Sequence, residues 1–397
     1  MSSHRRGFLQ TLASLPGLGA LLPVSLAAKP AKRDIYKELG IRPLINAAGT
    51  YTTLSASLMQ REVVEAVDAA ARQYVSIPEL HELVGKKIAA LAQCEAALVT
   101  AGAASALTVG TAACVAGKDQ EKIRRLPDTT GMKNEVLIQK KHRYGYDHAV
   151  RNVGVKMVEV ETREELERAA NDRTAMMLFF NAADPNGQIK VEEFAQLGKK
   201  LGVPTFNDAA ADVPPVENLW RYTKMGYDLV TFSGGKGLRG PQCSGLLLGR
   251  KDLIEAAVLN NNPHSDSVGR TNKVGKEEIV GMWAALDYYI KQDHKAVWRD
   301  WEKRCKTVAD LVASVKGVKT EIFIPEISNA VPHLRITWDF AATGLQPREV
   351  VKQLREGDPR IEVRPGAREA IEVAVWMLDP GEEQIVGRRL REILKKA

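Results

Sequence analysis

Residues 233–242 read Ser-Gly-Gly-Lys-Gly-Leu-Arg-Gly-Pro-Gln, and this stretch decides the fold more than any other part of the sequence. It follows an apolar strand candidate at residues 229–232. Glycines on both sides of Lys236 let the backbone approach a ligand closely and let the lysine side chain reach into a cleft. A nucleotide phosphate site is the alternative, but the P-loop order (GxxxxGK, then Ser or Thr) is missing, and this loop precedes a strand rather than opening a helix. The stretch predicts a lysine that works in a cleft at a strand end.

Strands and helices alternate from residue 79 onward, which is typical of a mostly parallel sheet covered on both faces. The strand candidates lie at residues 96–100, 135–139, 156–160, 175–180, 203–206, 229–232 and 245–248. The helical patterns lie at residues 61–74, 103–116, 163–170 and 191–201. The predicted fold class is therefore α/β.

The pattern changes after Gly275, where residues 277–315 predict one or two long helices. The shorter elements that follow suit a smaller α+β domain, and they lie at residues 318–324, 333–338, 347–356, 361–364, 372–376 and 382–395. We expect an N-terminal arm at residues 28–45, a large domain at residues 46–270 and a small C-terminal domain at residues 271–397. The segment at residues 32–46 is expected to pack back onto the small domain.

A second motif ends another strand candidate, where residues 203–208 read Val-Pro-Thr-Phe-Asn-Asp. A carboxylate at the carboxyl edge of a parallel sheet lies where ligand groups bind. Asp208 alone is equally typical of a helix cap. Together with Lys236 it indicates pyridoxal phosphate (PLP). The lysine amine forms a Schiff base with the cofactor aldehyde, and a carboxylate keeps the pyridine nitrogen protonated so that the ring acts as an electron sink.

The phosphate of such a cofactor needs free N–H groups and a hydroxyl. Residues 100–105 (Thr-Ala-Gly-Ala-Ala-Ser) join a strand candidate to a helix candidate. The N–H groups at a helix start, and the helix dipole, bind phosphate without a charged side chain. Gly102 and Ala103 are small enough for a close approach, and Ser233 adds a hydroxyl. Runs of Ala and Gly are also common in tight helix packing, so this element supports the other two rather than standing alone.

These motifs resemble the fold-type I PLP enzymes, and in particular the group of selenocysteine synthase and D-glucosaminate-6-phosphate ammonia-lyase. The resemblance covers roughly residues 34–395 and rests on residues 46–50 (Asn-Ala-Ala-Gly-Thr), 102–104, 208–210 and 233–242, and on Gly-Arg at 269–270 with residues 273–278. It implies an aspartate aminotransferase-like fold, with Lys236 as the Schiff-base lysine and Asp208 facing the pyridine nitrogen. It also implies a phosphate site at Gly102, Ala103 and Ser233.

The same resemblance suggests an aromatic ring over the cofactor, after the strand at residues 135–139. His142 is our choice for this ring, with Tyr146 and His148 as alternatives, although residues 139–148 also fit a basic surface loop.

Arginines are the expected substrate ligands, because a guanidinium binds a carboxylate through two hydrogen bonds. Arg335 sits where the small domain of this fold usually offers an arginine, although an edge-strand arginine is often only solvated. Arg270 is expected to reach across a homodimer interface toward the neighbouring site. Arg239 is expected either to bind phosphate or to shape its own loop.

The resemblance favours α,β-elimination from a β-hydroxy amino acid, with release of ammonia and a 2-keto acid. An aminotransferase or a racemase is the alternative, because the same site can run each reaction. Selenium transfer is less expected, since selenocysteine synthase has an N-terminal domain for charged tRNA where an export signal is expected here. A non-catalytic binding module would be expected to lose Lys236 or Asp208, and both are present.

The N-terminus resembles a twin-arginine export signal, with Ser-His-Arg-Arg-Gly-Phe-Leu-Gln at residues 3–10. The weakly apolar residues 12–26 are too short and too broken for a stable membrane span. We expect cleavage after Ala27 and a periplasmic protein without a membrane anchor; a frayed basic terminus is the alternative. The formal charge of +7 is spread over 397 residues, which favours a solvated surface over a nucleic-acid partner. The four cysteines show neither a CxxC pair nor metal-ligand spacing.

Overall fold

The structure is a computed structural model that describes residues 33–366 and 369–395. The chain divides into two compact units, Met1–Pro43 and Leu44–Ala397. The described part of the first unit contains one short helix, α1 (Ile35–Glu38), and the Asp34 side chain caps it by accepting from the Lys37 N–H. The export signal expected at residues 1–27 lies outside the described residues.

The second unit contains all the strands and the other helices of the described residues. The strands are β1 (Ile45–Asn46), β2 (Ala96–Thr100), β3 (Glu135–Gln139), β4 (Lys156–Val160), β5 (Thr174–Phe180), β6 (Thr205–Asp208), β7 (Leu229–Ser233), β8 (Gly245–Gly249), β9 (Lys319–Phe323), β10 (His333–Thr337), β11 (Ile361–Glu362), β12 (Arg364–Pro365) and β13 (Ile371–Ala374). The helices are α2 (Arg61–Ala71), α3 (Ile77–Leu91), α4 (Gly102–Ala116), α5 (Gln120–Arg125), α6 (His148–Arg151), α7 (Arg163–Ala169), α8 (Val191–Leu201), α9 (Asn218–Met225), α10 (Lys251–Leu259), α11 (Lys276–Lys291), α12 (His294–Ala313), α13 (Phe340–Thr343), α14 (Pro347–Glu356) and α15 (Glu382–Leu394).

A seven-stranded sheet forms the centre of this unit, in the order β2-β8-β7-β6-β5-β3-β4. Every neighbouring pair is parallel except those that include β8, which runs antiparallel to β2 and β7. Successive residues of one strand enter different cores: Leu137 packs in one cluster, and Val136 and Ile138 pack in the other. The strands are apolar on both faces because helices cover both sides. The α/β fold class with a mostly parallel sheet is confirmed.

A smaller antiparallel sheet follows, in the order β12-β13-β10-β9. Leu334 and Ile336 of β10 pack with residues of α12, α14 and α15 in a separate core. Strand β1 pairs in parallel with β11 through Ile45 and Ile361, so the chain just after the first unit packs against the small sheet. This part has the α+β character that the sequence indicated.

The long helical stretch at residues 277–315 consists of two helices, α11 and α12. They separate at Asp293, whose side chain caps α12 by accepting from the Ala296 N–H at 2.9 Å. Helix α11 packs on α2 and α3, and its buried Ile279 and Met282 belong to the core of the large sheet. The boundary at residue 270 stays a prediction, and this packing favours one after α11. No helix within residues 33–366 and 369–395 combines the length and apolar character needed to cross a membrane.

Candidate active site

The lysine loop leaves β7 at its carboxyl end and folds back tightly on neighbouring backbone. A Cβ added to Gly235 would lie 2.6 Å from the Gln242 Cα, and one added to Gly237 would overlap the Val213 carbonyl. Glycine is therefore required on both sides of Lys236 for the loop to close in this way. Burial lowers the pKa of the Lys236 amine, and the negative charges of two nearby aspartates partly oppose this.

Asp208, the last residue of β6, is one of these two carboxylates and is fully enclosed. It accepts hydrogen bonds from the Tyr144 hydroxyl and, at 3.1 Å, from the Ala210 N–H. Burial raises the pKa of Asp208, while these hydrogen bonds and the positive charge of Lys236 act in the other direction. A protonated ring nitrogen beside Asp208 would therefore stabilise the charged form of this carboxylate.

Asp212, four residues further on, is the second carboxylate, and the sequence analysis did not single it out. Its oxygens accept from Asn181 Nδ2 at 2.6 Å, from the Ser328 hydroxyl at 2.8 Å and from the Tyr222 hydroxyl at 3.5 Å. Burial raises the pKa of Asp212 to about 6, and the hydrogen bonds only partly offset this. Lys236 thus lies in the field of two buried carboxylates.

The aromatic residue beside Asp208 is Tyr144, whose ring stacks on Phe180 with centroids 3.9 Å apart. His142, our choice from the sequence, has no exposed surface and packs edge-on against Phe179 in the core. Its Nδ1 accepts from the Phe180 N–H at 3.2 Å, and its Nε2 lies 3.1 Å from Gln139 Nε2. The expected place of His142 over the cofactor ring is corrected: both ring nitrogens are used in the core, and no face is open to a ligand.

The alternatives to His142 lie elsewhere. Tyr146 lines the cavity beside Lys236, and 65% of its side chain is exposed. His148 is exposed and begins helix α6.

The residues expected at the phosphate come together at one end of the sheet. Ser233 on β7 and Thr100 on β2 both pair with Gly245, so the start of α4 lies beside Ser233. A Cβ on Gly245 would lie 2.7 Å from the Ala103 nitrogen, which shows how closely the start of the helix packs on the sheet. Gly102 has φ +81°, a conformation that favours glycine.

This end of the site also has buried hydroxyls without hydrogen-bond partners. Ser105 in the first turn of α4 is one, and Thr231, two residues before Ser233 on β7, is another. Buried polar groups are normally hydrogen-bonded, so hydroxyls without a partner among the described residues, one of them in the first turn of α4, fit the phosphate of a bound cofactor. PLP requires N–H groups and hydroxyls for its phosphate, a carboxylate for its ring nitrogen and a lysine amine for its aldehyde. This site contains all of these groups.

A cavity of about 130 Å³ is lined by Lys236. Three separate parts of the chain form most of its wall: residues 48–52, the loop and strand around Asn329 and His333, and the segment that includes Arg364 and Trp376. Among the described residues, the arginine or lysine in this wall besides Lys236 is Arg364. Its guanidinium lies 6.0 Å from the centre of the Tyr51 ring.

Arg335, the sequence-based choice for the substrate carboxylate, does not line this cavity. It pairs with Glu321 at 2.8 Å and Glu372 at 3.1 Å, and it covers the Phe323 ring at 4.1 Å. Glu372 also pairs with Arg364 at 3.4 Å, from the neighbouring strand. The expectation for Arg335 is corrected: Arg335 neutralises the glutamate that supports Arg364, and Arg364 is the arginine at the cavity.

The other two arginines take different places. Arg270 is exposed and does not line the Lys236 cavity. Arg239 has φ +53° and donates from Nε to the Leu58 carbonyl at 2.8 Å, which favours its loop-shaping role. It lines a second cavity of about 460 Å³ that shares Trp376 with the first but does not include Lys236.

Sequence reasoning missed Asp212, Tyr144, His333, Arg364 and Trp376. Signals existed for two of them. Asp212 comes four residues after Asp208, and Tyr144 comes two residues after His142. The other three come from the small domain, where no motif marks them.

The lysine, the enclosed aspartate and the phosphate end, on this fold, define a fold-type I PLP-dependent enzyme. The chain belongs to the L-seryl-tRNA selenium transferase family, whose model matches residues 44–300. It is 30% identical over 380 residues to D-glucosaminate-6-phosphate ammonia lyase of Salmonella typhimurium, covering 92% of this chain and 99% of that protein.

Two further comparisons agree with this assignment. The chain is 29% identical over 374 residues to 5'-C-glycyluridine monooxygenase-decarboxylase of a Streptomyces species, covering 90% of this chain and 92% of that protein. A solved structure of D-glucosaminate-6-phosphate ammonia-lyase is similar with a TM-score of 0.80 and 28% identity, covering 91% of this chain and 98% of that one.

Proposed function

We propose that this PLP-dependent enzyme catalyses α,β-elimination from a β-hydroxy amino acid, with release of ammonia and a 2-keto acid. The observation that carries the proposal is that the Lys236 amine opens into the same small cavity as the Arg364 guanidinium. The similarity to an ammonia lyase over nearly the full length of both chains supports elimination over transamination, racemisation and selenium transfer.

Arg364 is the group that would bind the substrate carboxylate. Arg364 lines the cavity that contains Lys236, Glu372 pairs with it at 3.4 Å, and the Tyr51 ring in the same wall lies 6.0 Å from the guanidinium. A planar guanidinium binds a carboxylate with two parallel hydrogen bonds and so orients the substrate as well as holding it. Because Lys236 lines the same cavity, a substrate held by Arg364 would lie beside the lysine amine.

Lys236 is the group that would move the proton. Burial lowers the pKa of its amine, so more of it is neutral and able to accept a proton near pH 7 than in water. PLP, when bound, supplies the electron sink that lets the Cα–H bond break and the β-hydroxyl leave. Lys236 takes the Cα proton and would pass it to the departing hydroxyl, which leaves as water. A second water then hydrolyses the dehydrated amine to the 2-keto acid and ammonia.

The test of this function is product formation without a second substrate. Purified holoenzyme is supplied with a panel of β-hydroxy amino acids, and 2-keto acid and ammonia are measured in equal amounts without an added keto acid. Strict dependence on an added keto acid would make the chain an aminotransferase. Loss of optical activity without keto acid would make it a racemase.

We also propose a homodimer in which Arg270 is lent to the neighbouring site. Its exposure, with no side-chain partner in the described part of its own subunit, supports this role. Mixing Lys236→Ala with Arg270→Ala subunits should recover part of the activity, because one site of the mixed dimer keeps both native residues. A well-formed mixed dimer without recovery would contradict the shared site.

Export by the twin-arginine route to the periplasm is likewise a proposal, and it rests on the Arg-Arg-Gly-Phe-Leu motif at residues 5–9. Changing both arginines to lysine should keep the protein in the cytoplasm with the signal uncleaved. Periplasmic protein in that variant would contradict the export route.

A further inference from the structure

One wall of the Lys236 cavity contains a histidine whose tautomer the fold sets. His333, the first residue of β10, is only 2% exposed, and its Nδ1 lies 2.8 Å from the Val331 carbonyl. A carbonyl only accepts, so Nδ1 carries the proton and Nε2 keeps its lone pair. Burial lowers the pKa of His333, which keeps the ring neutral near pH 7. Nε2 has no partner among the described residues, so His333 offers a free acceptor.

Another part of the cavity wall contains a free donor. Trp376 is 3% exposed, and its indole N–H has no hydrogen-bond partner in the part of the chain that the structure describes. A Cβ on Gly49, which also lines the cavity, would lie 3.7 Å from this nitrogen, so the glycine leaves the N–H uncovered by a side chain. An indole only donates, and a buried donor without a partner costs folding stability unless a ligand satisfies it.

A free acceptor beside a free donor suits a hydroxyl group, which donates one hydrogen bond and accepts another. A carboxylate would leave the Nε2 lone pair of His333 unsatisfied, and a methyl group would satisfy neither residue.

We propose that His333 and Trp376 determine specificity by recognising the side-chain hydroxyl of a small β-hydroxy amino acid. The inference deepens the proposed function and rests on it, because the hydroxyl that these residues bind is the group that elimination removes. Arg364 holds the carboxylate, Lys236 acts at Cα, and the His333–Trp376 pair holds the β-substituent. An amino acid without the hydroxyl fits the same space but leaves both buried groups unpaired.

The test compares serine with alanine, in both enantiomers, on the holoenzyme. Binding of each is followed by the change that it causes in the visible absorbance of the bound cofactor. The native enzyme should bind serine about ten- to a hundredfold more tightly than alanine. The reason is that alanine has no hydroxyl and leaves the Trp376 N–H and the His333 Nε2 without hydrogen-bond partners. No response to serine, or equal affinity for the two, would overturn the inference.

Two variants locate the preference. Trp376→Phe removes the donor and His333→Phe removes the acceptor; each should weaken serine binding about tenfold and leave alanine binding unchanged. Trp301→Phe is the matched control, because this ring packs against Trp376 at 6.2 Å but does not line the Lys236 cavity, and it should keep the preference. An unchanged serine-to-alanine ratio in Trp376→Phe overturns the inference even if the histidine variant fails to fold.

The proposed function fails by a different result. If serine is preferred but no 2-keto acid appears, the recognition stands and the elimination does not. If 2-keto acid forms from serine while the native enzyme binds serine and alanine equally, elimination stands and the hydroxyl recognition is overturned.

Discussion

The two ends of the site are built in different ways. The cofactor end uses Lys236, Asp208 and Ser233, which lie at or just after the ends of adjacent strands of one continuous sheet. The substrate end uses Arg364 and His333, which belong to a second sheet, and it adds the loop at residues 48–52. One end therefore depends on strand order, and the other on how distant segments pack.

This difference decides how each end responds to change. At the cofactor end, the glycine loop, the strand terminus and the helix start each need particular residue types at particular positions. Each of them can therefore be recognised in the sequence. At the substrate end, Arg364 and Arg335 both pair with Glu372, and only packing decides which of the two faces the cavity. The cofactor end is thus specified locally, whereas the substrate end depends on contacts between distant segments.

The largest expected effect is that of Lys236→Ala. This change should lower the rate of product formation by at least about a thousandfold and remove the visible band, since both the proton carrier and the covalent link are lost. Lys291→Ala is the control, because Lys291 pairs with Asp287 at the surface. A Lys236→Ala variant that keeps the band would move the cofactor link to another lysine.

The next effect separates the two arginines of the substrate end. Arg364→Gln should raise KM for the amino acid substrate by about tenfold or more, because the carboxylate loses its charged partner. Arg335→Gln should cost thermal stability through Glu372 and change KM much less, since Arg335 does not line the cavity. Steady-state kinetics and melting temperatures of both variants measure this, and the reverse pattern would restore Arg335 as the substrate ligand.

A smaller effect separates the two rings of the cofactor end. Tyr144→Phe should weaken PLP binding by about tenfold, because Asp208 loses a hydrogen bond that favours its charged form. His142→Gln should leave PLP affinity close to the native value, since His142 is a core residue. Titration of the apoenzyme with PLP gives both values, and a large loss in His142→Gln alone would place that ring back at the cofactor.

The smallest effect concerns the stability of the core under His142. Burial lowers the pKa of His142 from 6.5 to about 4, so the folded state binds the proton less readily than the unfolded chain. Neutral His142 therefore contributes fully to the free energy of unfolding above pH 6.5, and this contribution is lost as the pH falls through about 4. The apoenzyme with His142→Gln should lose less stability than the native one between pH 6.5 and 4 in urea titrations; parallel curves would contradict this.

The sequence predicted most of the fold and about half of the site. The seven strands of the large sheet were predicted within two residues at each end, because short apolar segments typical of strands alternate with helical patterns. His142 was chosen, with Tyr146 and His148 as alternatives, and Tyr144 was overlooked. All four lie in one polar loop, and only the packing of His142 against Phe179 shows that this ring belongs to the core. Arg335 was chosen because no local pattern reveals that Glu321 and Glu372 already occupy it.

The most direct test of the central claim is to locate the covalent link between PLP and the chain. Holoenzyme is treated with borohydride, which makes the link permanent, and is then digested and analysed by mass spectrometry. We expect the pyridoxyl phosphate mass on the peptide that contains Lys236, with none on that peptide in Lys236→Ala. A label on a different lysine of the native protein, or no labelled peptide from a yellow preparation, would contradict it.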